Sequence, residues 1–86
     1  MHMEDIPNLG PKSRWMLKQA GIHSMKELCK LGAVHAYLQV KSNNSKASLN
    51  LLWALEGALT ERRWQNVARH DRLRLLMELE DVEQNK

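Results

Sequence analysis

Apolar residues recur along this chain at three- and four-residue spacing, in runs broken by glycines and short polar clusters. Asn8-Leu9-Gly10-Pro11 forms a turn into the first run, because proline at a first helical position has its φ preset and needs no partner for an N–H it lacks. The spacing predicts a helix over 11–20 with Ser13, Met16, Leu17 and Ala20 inward and Lys12, Arg14, Lys18 and Gln19 outward, Trp15 lying near the boundary. Gly21 closes that helix by entering the left-handed region, which lets Ile22 fold back on the preceding turn. The chain restarts at once. Ser24 and Glu27 have the spacing of a capping box, opening a second helix over 25–31 that buries Met25, Leu28 and Cys29 and stops at Gly32. A third helix over 33–40 presents Val34, Tyr37 and Leu38 on one side, and the polar cluster 41–45 reads as an exposed loop.

The segment 48–59 differs in kind. Leu49, Leu51, Leu52, Trp53, Ala54, Leu55, Ala58 and Leu59 leave few polar breaks, so neighbours must cover most of its sides and it should be the central helix. Residues 60–64 then read as a turn or one-turn helix. A last helix follows from 69 or 71 to 80, with Leu73, Leu76, Met77 and Leu79 as its buried stripe. No segment alternates as a strand does. The expected fold is all-α, a compact bundle of four to five short helices over 6–80, with a disordered lead-in at 1–5 and a frayed acidic tail at 81–86.

Composition narrows this further. A chain of 86 residues that is 43% hydrophobic supports one core and one domain. A lone Cys29 excludes an internal disulfide, and no Cys/His pattern suits a metal, so neither a metal nor another cofactor is expected. No apolar run approaches the roughly 20 residues of a membrane span, so the expected setting is the cytoplasm, without a membrane partner. The formal charge of +3 is modest but uneven, with arginines from Arg62 to Arg74 preceding an acidic end, so a polyanion partner is permitted but not required.

Candidate chemistry lies in two places. Backbone N–H groups at the first helix start, with Lys12, Ser13, Arg14 and Lys18 nearby, can hold a phosphate oxygen; the competing reading is a helix start chosen for geometry with solvated cations, and Pro11 removes one donor. Arg62, Arg63 and Arg69 can contact phosphates or an acidic surface, or can pair with Glu61, Asp71 and Glu78; Arg74 and Glu78 are spaced to meet on the helix. Trp53 belongs to the core; Trp15 and Trp64 are expected to be core or half-core as well, with the edge of an interface as the alternative that their large amphipathic rings allow. His2, His23, His35 and His70 share no ligand spacing, and no nucleophile or carboxylate pair has an orienting partner, so an enzyme is not expected.

The blocks Asn8-Leu9-Gly10-Pro11-Lys12-Ser13, Trp15, Ala20-Gly21-Ile22, Leu31-Gly32-Ala33-Val34 with Ala36-Tyr37, and Ser48 through Leu59 with Trp64 resemble the carboxy-terminal domain of the TfoX/Sxy family over about 6–79. The resemblance implies a compact helical domain related to helix-hairpin-helix proteins. It implies a role in bacterial competence, turning on DNA-uptake genes alongside a cyclic-AMP-responsive activator. Partners so implied are the transcription machinery or an activator protein, with weak sequence-independent DNA contact. Family members usually carry an amino-terminal mixed α/β domain first, so this chain reads as a stand-alone relative or as a fragment. The alternative is a module of the sterile-alpha-motif type that binds proteins or itself through Trp15, Trp64 and the arginines, without nucleic acid.

Overall fold

The computed structural model describes residues 9–84, so the lead-in at 1–5 and the last two positions of the acidic tail lie outside the described residues. Five helices follow in order: α1 Pro11–Gln19, α2 Met25–Asn43, α3 Leu49–Thr60, α4 Trp64–His70 and α5 Arg72–Gln84. Among the described residues there is no strand, and the all-α bundle is as expected.

The corner at the amino end is built by its caps. Gly21 takes φ 87°, the Ile22 N–H donates to the Leu17 carbonyl at 2.9 Å and the Gly21 N–H to the Lys18 carbonyl at 3.1 Å. This closes α1 in a Schellman motif and drives Ile22 fully into the core. At the start of α2 the Glu27 N–H donates to Ser24 Oγ at 3.2 Å. The Glu27 carboxylate accepts the His23 N–H at 3.1 Å, one residue before the cap itself. Gly32 interrupts α2 at φ 81°, ψ 163°, so the expected break is real and a second helical stretch runs on through Asn43, taking up the first part of the expected loop. Cys29 is exposed, not buried: Leu28 faces fully inward, and the next residue lies about 100° farther round the helix.

Helix α3 is the centre of the molecule. Leu51, Leu52, Trp53, Ala54, Leu55, Gly57 and Ala58 are all buried, so apolar neighbours enclose it on nearly every side. It ends at Glu61, a non-glycine residue held left-handed at φ 56°, while the Arg62 N–H donates to the Gly57 carbonyl at 2.9 Å. Residues beyond that turn depart from the expected layout. Trp64–His70 is a separate helix anchored by the fully buried Val67, and a single anchor gives a sequence no periodicity to show. In α5 the buried pair is Leu75 and Leu79; Leu73 and Met77, expected inside, are 72% and 62% exposed. Both pairs are four apart, so spacing alone cannot choose between them, and ion pairs from Asp71 and Arg74 fix which side turns inward. Helix α5 continues to Gln84 with Val82 packed against the core, so residues 81–84 of the expected tail are helical.

Candidate functional site

A shallow concavity of about 270 Å³ opens where the start of α1, the turn before α3 and the start of α4 come together. Lys12 and Ser13 line one wall, Lys46, Ser48 and Asn50 the other, and Trp64 stands at the end with Met16, Leu51 and Ala54 as its apolar floor. Each wall is positioned locally. Pro11 starts α1 at Gly10, and the Arg14 N–H closes the first turn on the Gly10 carbonyl at 3.0 Å. Asn44 organises the opposite wall: its side-chain oxygen accepts the Lys46 N–H and its carbonyl accepts the Ala47 N–H, at 3.0 and 3.1 Å. Ala47 is buried, and that anchor leaves Lys46 exposed beside Ser48. The Ser48 hydroxyl makes no capping bond to α3; the Leu51 N–H in its first turn donates instead to the Ser48 carbonyl at 2.9 Å.

Around the start of α4 a second concavity, about 340 Å³, is lined by Arg63, Gln65, Asn66, Arg69 and His70. The two concavities share no lining residue, although Arg63 of the second precedes Trp64 of the first in the chain. The structure therefore gathers Lys12, Ser13 and Trp64 in one place and Arg63 with Arg69 in another. Two lysines with hydroxyl and amide groups in the first, and two arginines with amide groups in the second, make cationic, hydrogen-bonding surfaces that suit an oxyanion.

The other predicted residues lie elsewhere. Arg14 is half-buried and donates to the Leu9 carbonyl at 3.0 Å, which ties the chain entering α1 to the helix. Lys18 is in the last turn of α1, at the far end from Lys12, and Trp15, expected core or half-core, is 56% exposed on the outer side of the same helix, as Trp64 is 38% exposed at the start of α4. Arg62 spans Asp71 with its two terminal guanidinium nitrogens. Arg74 reaches Glu56 at 2.7 Å, Asp71 at 2.8 Å and Glu78 at 3.0 Å. The hydrogen bond from Arg62, with that from Arg74, holds the Asp71 carboxyl well below the usual carboxylate range, and the same contacts push both guanidinium groups up. This network joins α3, the turn after it and α5. Arg62 is thus engaged within the fold while Arg63 and Arg69 face outward.

Lys46, Ser48 and Asn50 were missed by the sequence reading. Lys46 and Ser48, just ahead of a strongly apolar helix, were the available signal. Among the described residues no group of three or more His, Cys, Asp or Glu side chains could hold a metal ion, and no helix is long and apolar enough to cross a membrane.

Fold and surface together define a small all-α domain in which a capped helical corner and a basic groove are set on one central apolar helix. The chain belongs to the TfoX C-terminal domain family, whose family model matches residues 1–79. It is similar to the DNA transformation protein TfoX of Haemophilus influenzae, with 32% identity over 80 residues covering 93% of this chain and 37% of that protein. The chain thus spans little more than a third of that relative's length. It also resembles the crystal structure, in a triclinic form, of an uncharacterized protein from Listeria monocytogenes, at a TM-score of 0.82 and 29% identity over 96% of this chain and 94% of that one.

Proposed function

We propose that this domain serves a competence-related, non-enzymatic regulatory role, acting in the transcriptional control of DNA uptake from the cytoplasm through contacts with an activator protein or the transcription machinery. The observation that carries this reading is the family match across residues 1–79, supported by likeness to a DNA transformation protein over nearly the whole chain. A second part of the proposal is weak, sequence-independent DNA contact through the groove. Lys12 and Lys46 supply positive charge there, with Arg63 and Arg69 in the concavity at the start of α4, Ser13, Ser48 and Asn50 supply hydrogen-bonding groups, and Trp64 stands at the end of the groove. Side chains of these kinds grip phosphates without reading bases.

Fluorescence anisotropy with a random-sequence duplex at low salt tests the DNA part. Binding should weaken with a log–log salt slope of about −2 to −4, as expected for two to four phosphate contacts. Lys12→Ala and Lys46→Ala should each reduce that slope by about 1, whereas Lys30→Ala, on the exposed side of α2, should leave it unchanged. A flat salt response, or equal effects from all three substitutions, would leave protein contact as the domain's role.

A further inference from the structure

The groove holds features that a phosphate backbone leaves unused. Its floor is apolar, made by Met16, Leu51 and Ala54, and Trp64 stands at one end and is 38% exposed. A phosphate is strongly hydrated and gains nothing from a methyl group or an indole, so Lys12, Lys46 and the hydroxyl groups of Ser13 and Ser48 would serve it equally well on a flat surface. The fold does not account for the indole either. Trp64 is not part of the core, which α4 reaches through Val67 and Ala68. Size then limits what enters. At about 270 Å³ the groove falls short of the roughly 300–1,000 Å³ of clefts that enclose a drug-sized molecule, so it admits one ring system and not a base pair.

We propose that the groove takes one unpaired nucleotide of single-stranded DNA, its base against Trp64 and the apolar floor and its flanking phosphates on Lys12 and Lys46. The inference rests on the DNA contact proposed above and names the form of DNA that makes it. In a duplex the faces of each base are covered by its neighbours, whereas a single strand offers planar face and charge together, and aromatic side chains beside a cationic groove are what such strands bind. Charge complementarity points the same way. The two lysines stand on opposite walls, as a strand crossing the groove with a phosphate on each side of the base requires, and none of the residues lining the groove is acidic. Every base has a π face, so this contact tolerates any sequence, in keeping with a domain that grips DNA without reading it.

Fluorescence anisotropy with labelled strands tests it. Oligothymidylate of about eight residues, within the roughly 4–16 nucleotides of single-strand sites, should bind about tenfold tighter than an abasic strand of the same length and charge, as one stacked base warrants. Trp64→Ala should abolish that difference while leaving the abasic strand and a random-sequence duplex bound as before. Trp64→Phe should keep most of it, and Trp15→Ala, on the outer side of α1, all of it. Lys12→Ala should weaken the intact and abasic strands alike. Circular dichroism should be unchanged in the tryptophan variants, since neither Trp15 nor Trp64 is part of the core. Equal binding of the intact and abasic strands, a difference that survives Trp64→Ala, or thymidine monophosphate binding as tightly as the strand would overturn the inference while DNA contact through the lysines stands. No binding of either strand or of the duplex would overturn the DNA reading itself, and this inference with it.

Discussion

At the scale of single residues, Asp71 shows how a side chain read as one candidate partner among several becomes a structural joint. It accepts from Arg62 and Arg74, and Arg74 in turn reaches Glu56 in α3. Because these contacts depress its folded-state pKa, the unfolded chain takes up the proton more readily below about pH 4. The stability that ionised Asp71 contributes is therefore complete above that pH and decays as pH falls toward the depressed value. Thermal unfolding followed across the acid range should show Asp71→Asn less stable than the unaltered chain near neutrality, with the two curves converging on acidification. Parallel curves would show that other carboxylates govern the acid limb. The pairing of Arg74 with Glu78 was legible because helical spacing dictates it, and it is present at 3.0 Å. The Arg62–Asp71 pair spans two turns and a separate helix, so no local spacing announces it. The same reason hid Lys46: it reaches Lys12 and Trp64 only through the packing of α1, α3 and α4.

At the scale of elements, what was legible is what caps and breakers write locally. The ends at Gly21 and Gly32, the box at Ser24 and Glu27, and the all-round burial of α3 each follow from residues within a turn of the feature. Helix α4 and the rotation of α5 depended on distant partners and were not legible, since Val67 is one anchor and the Leu75/Leu79 pair competes with Leu73/Met77 at equal spacing. The two glycines make a sharper distinction. Gly21 closes a Schellman motif, where a left-handed asparagine is tolerated, whereas Gly32 at φ 81°, ψ 163° lies in a region essentially confined to glycine. A Cβ at Gly32 would meet nothing within 4 Å, so any penalty there comes from the backbone alone. Gly32→Ala and Gly32→Asn should both cost roughly 1–3 kcal/mol in urea denaturation, while Gly21→Asn should cost visibly less than Gly21→Ala. A neutral Gly32→Ala would mean that the two halves of α2 can join into a continuous helix.

At the scale of the whole molecule, the groove and the core are parts of one cooperative unit. The wall carrying Lys12 belongs to α1, which reaches the core through Met16 and Leu17, with Ile22 just beyond its end, and is tied to α2 by Gln39 and Asn43. Those two side chains donate to the Ala20 and Gln19 carbonyls at 2.6 and 3.0 Å. The opposite wall belongs to the start of α3, and the aromatic end to α4, which packs on α3 through Val67. The floor takes Met16 from α1 and Leu51 and Ala54 from α3, so the groove should persist as long as the core does and vanish with it. The three tryptophans test this because they sit on different elements: Trp15 on α1, Trp53 on α3 and Trp64 on α4. Variants retaining one tryptophan each, the others changed to Phe, report unfolding element by element. Compared with far-ultraviolet circular dichroism of the same variant, every fluorescence transition should have the same midpoint and slope, as two-state unfolding requires. An early transition at Trp15 alone would mean that the helical corner opens while α3 stays packed, and that the Lys12 wall forms and dissolves independently of the rest.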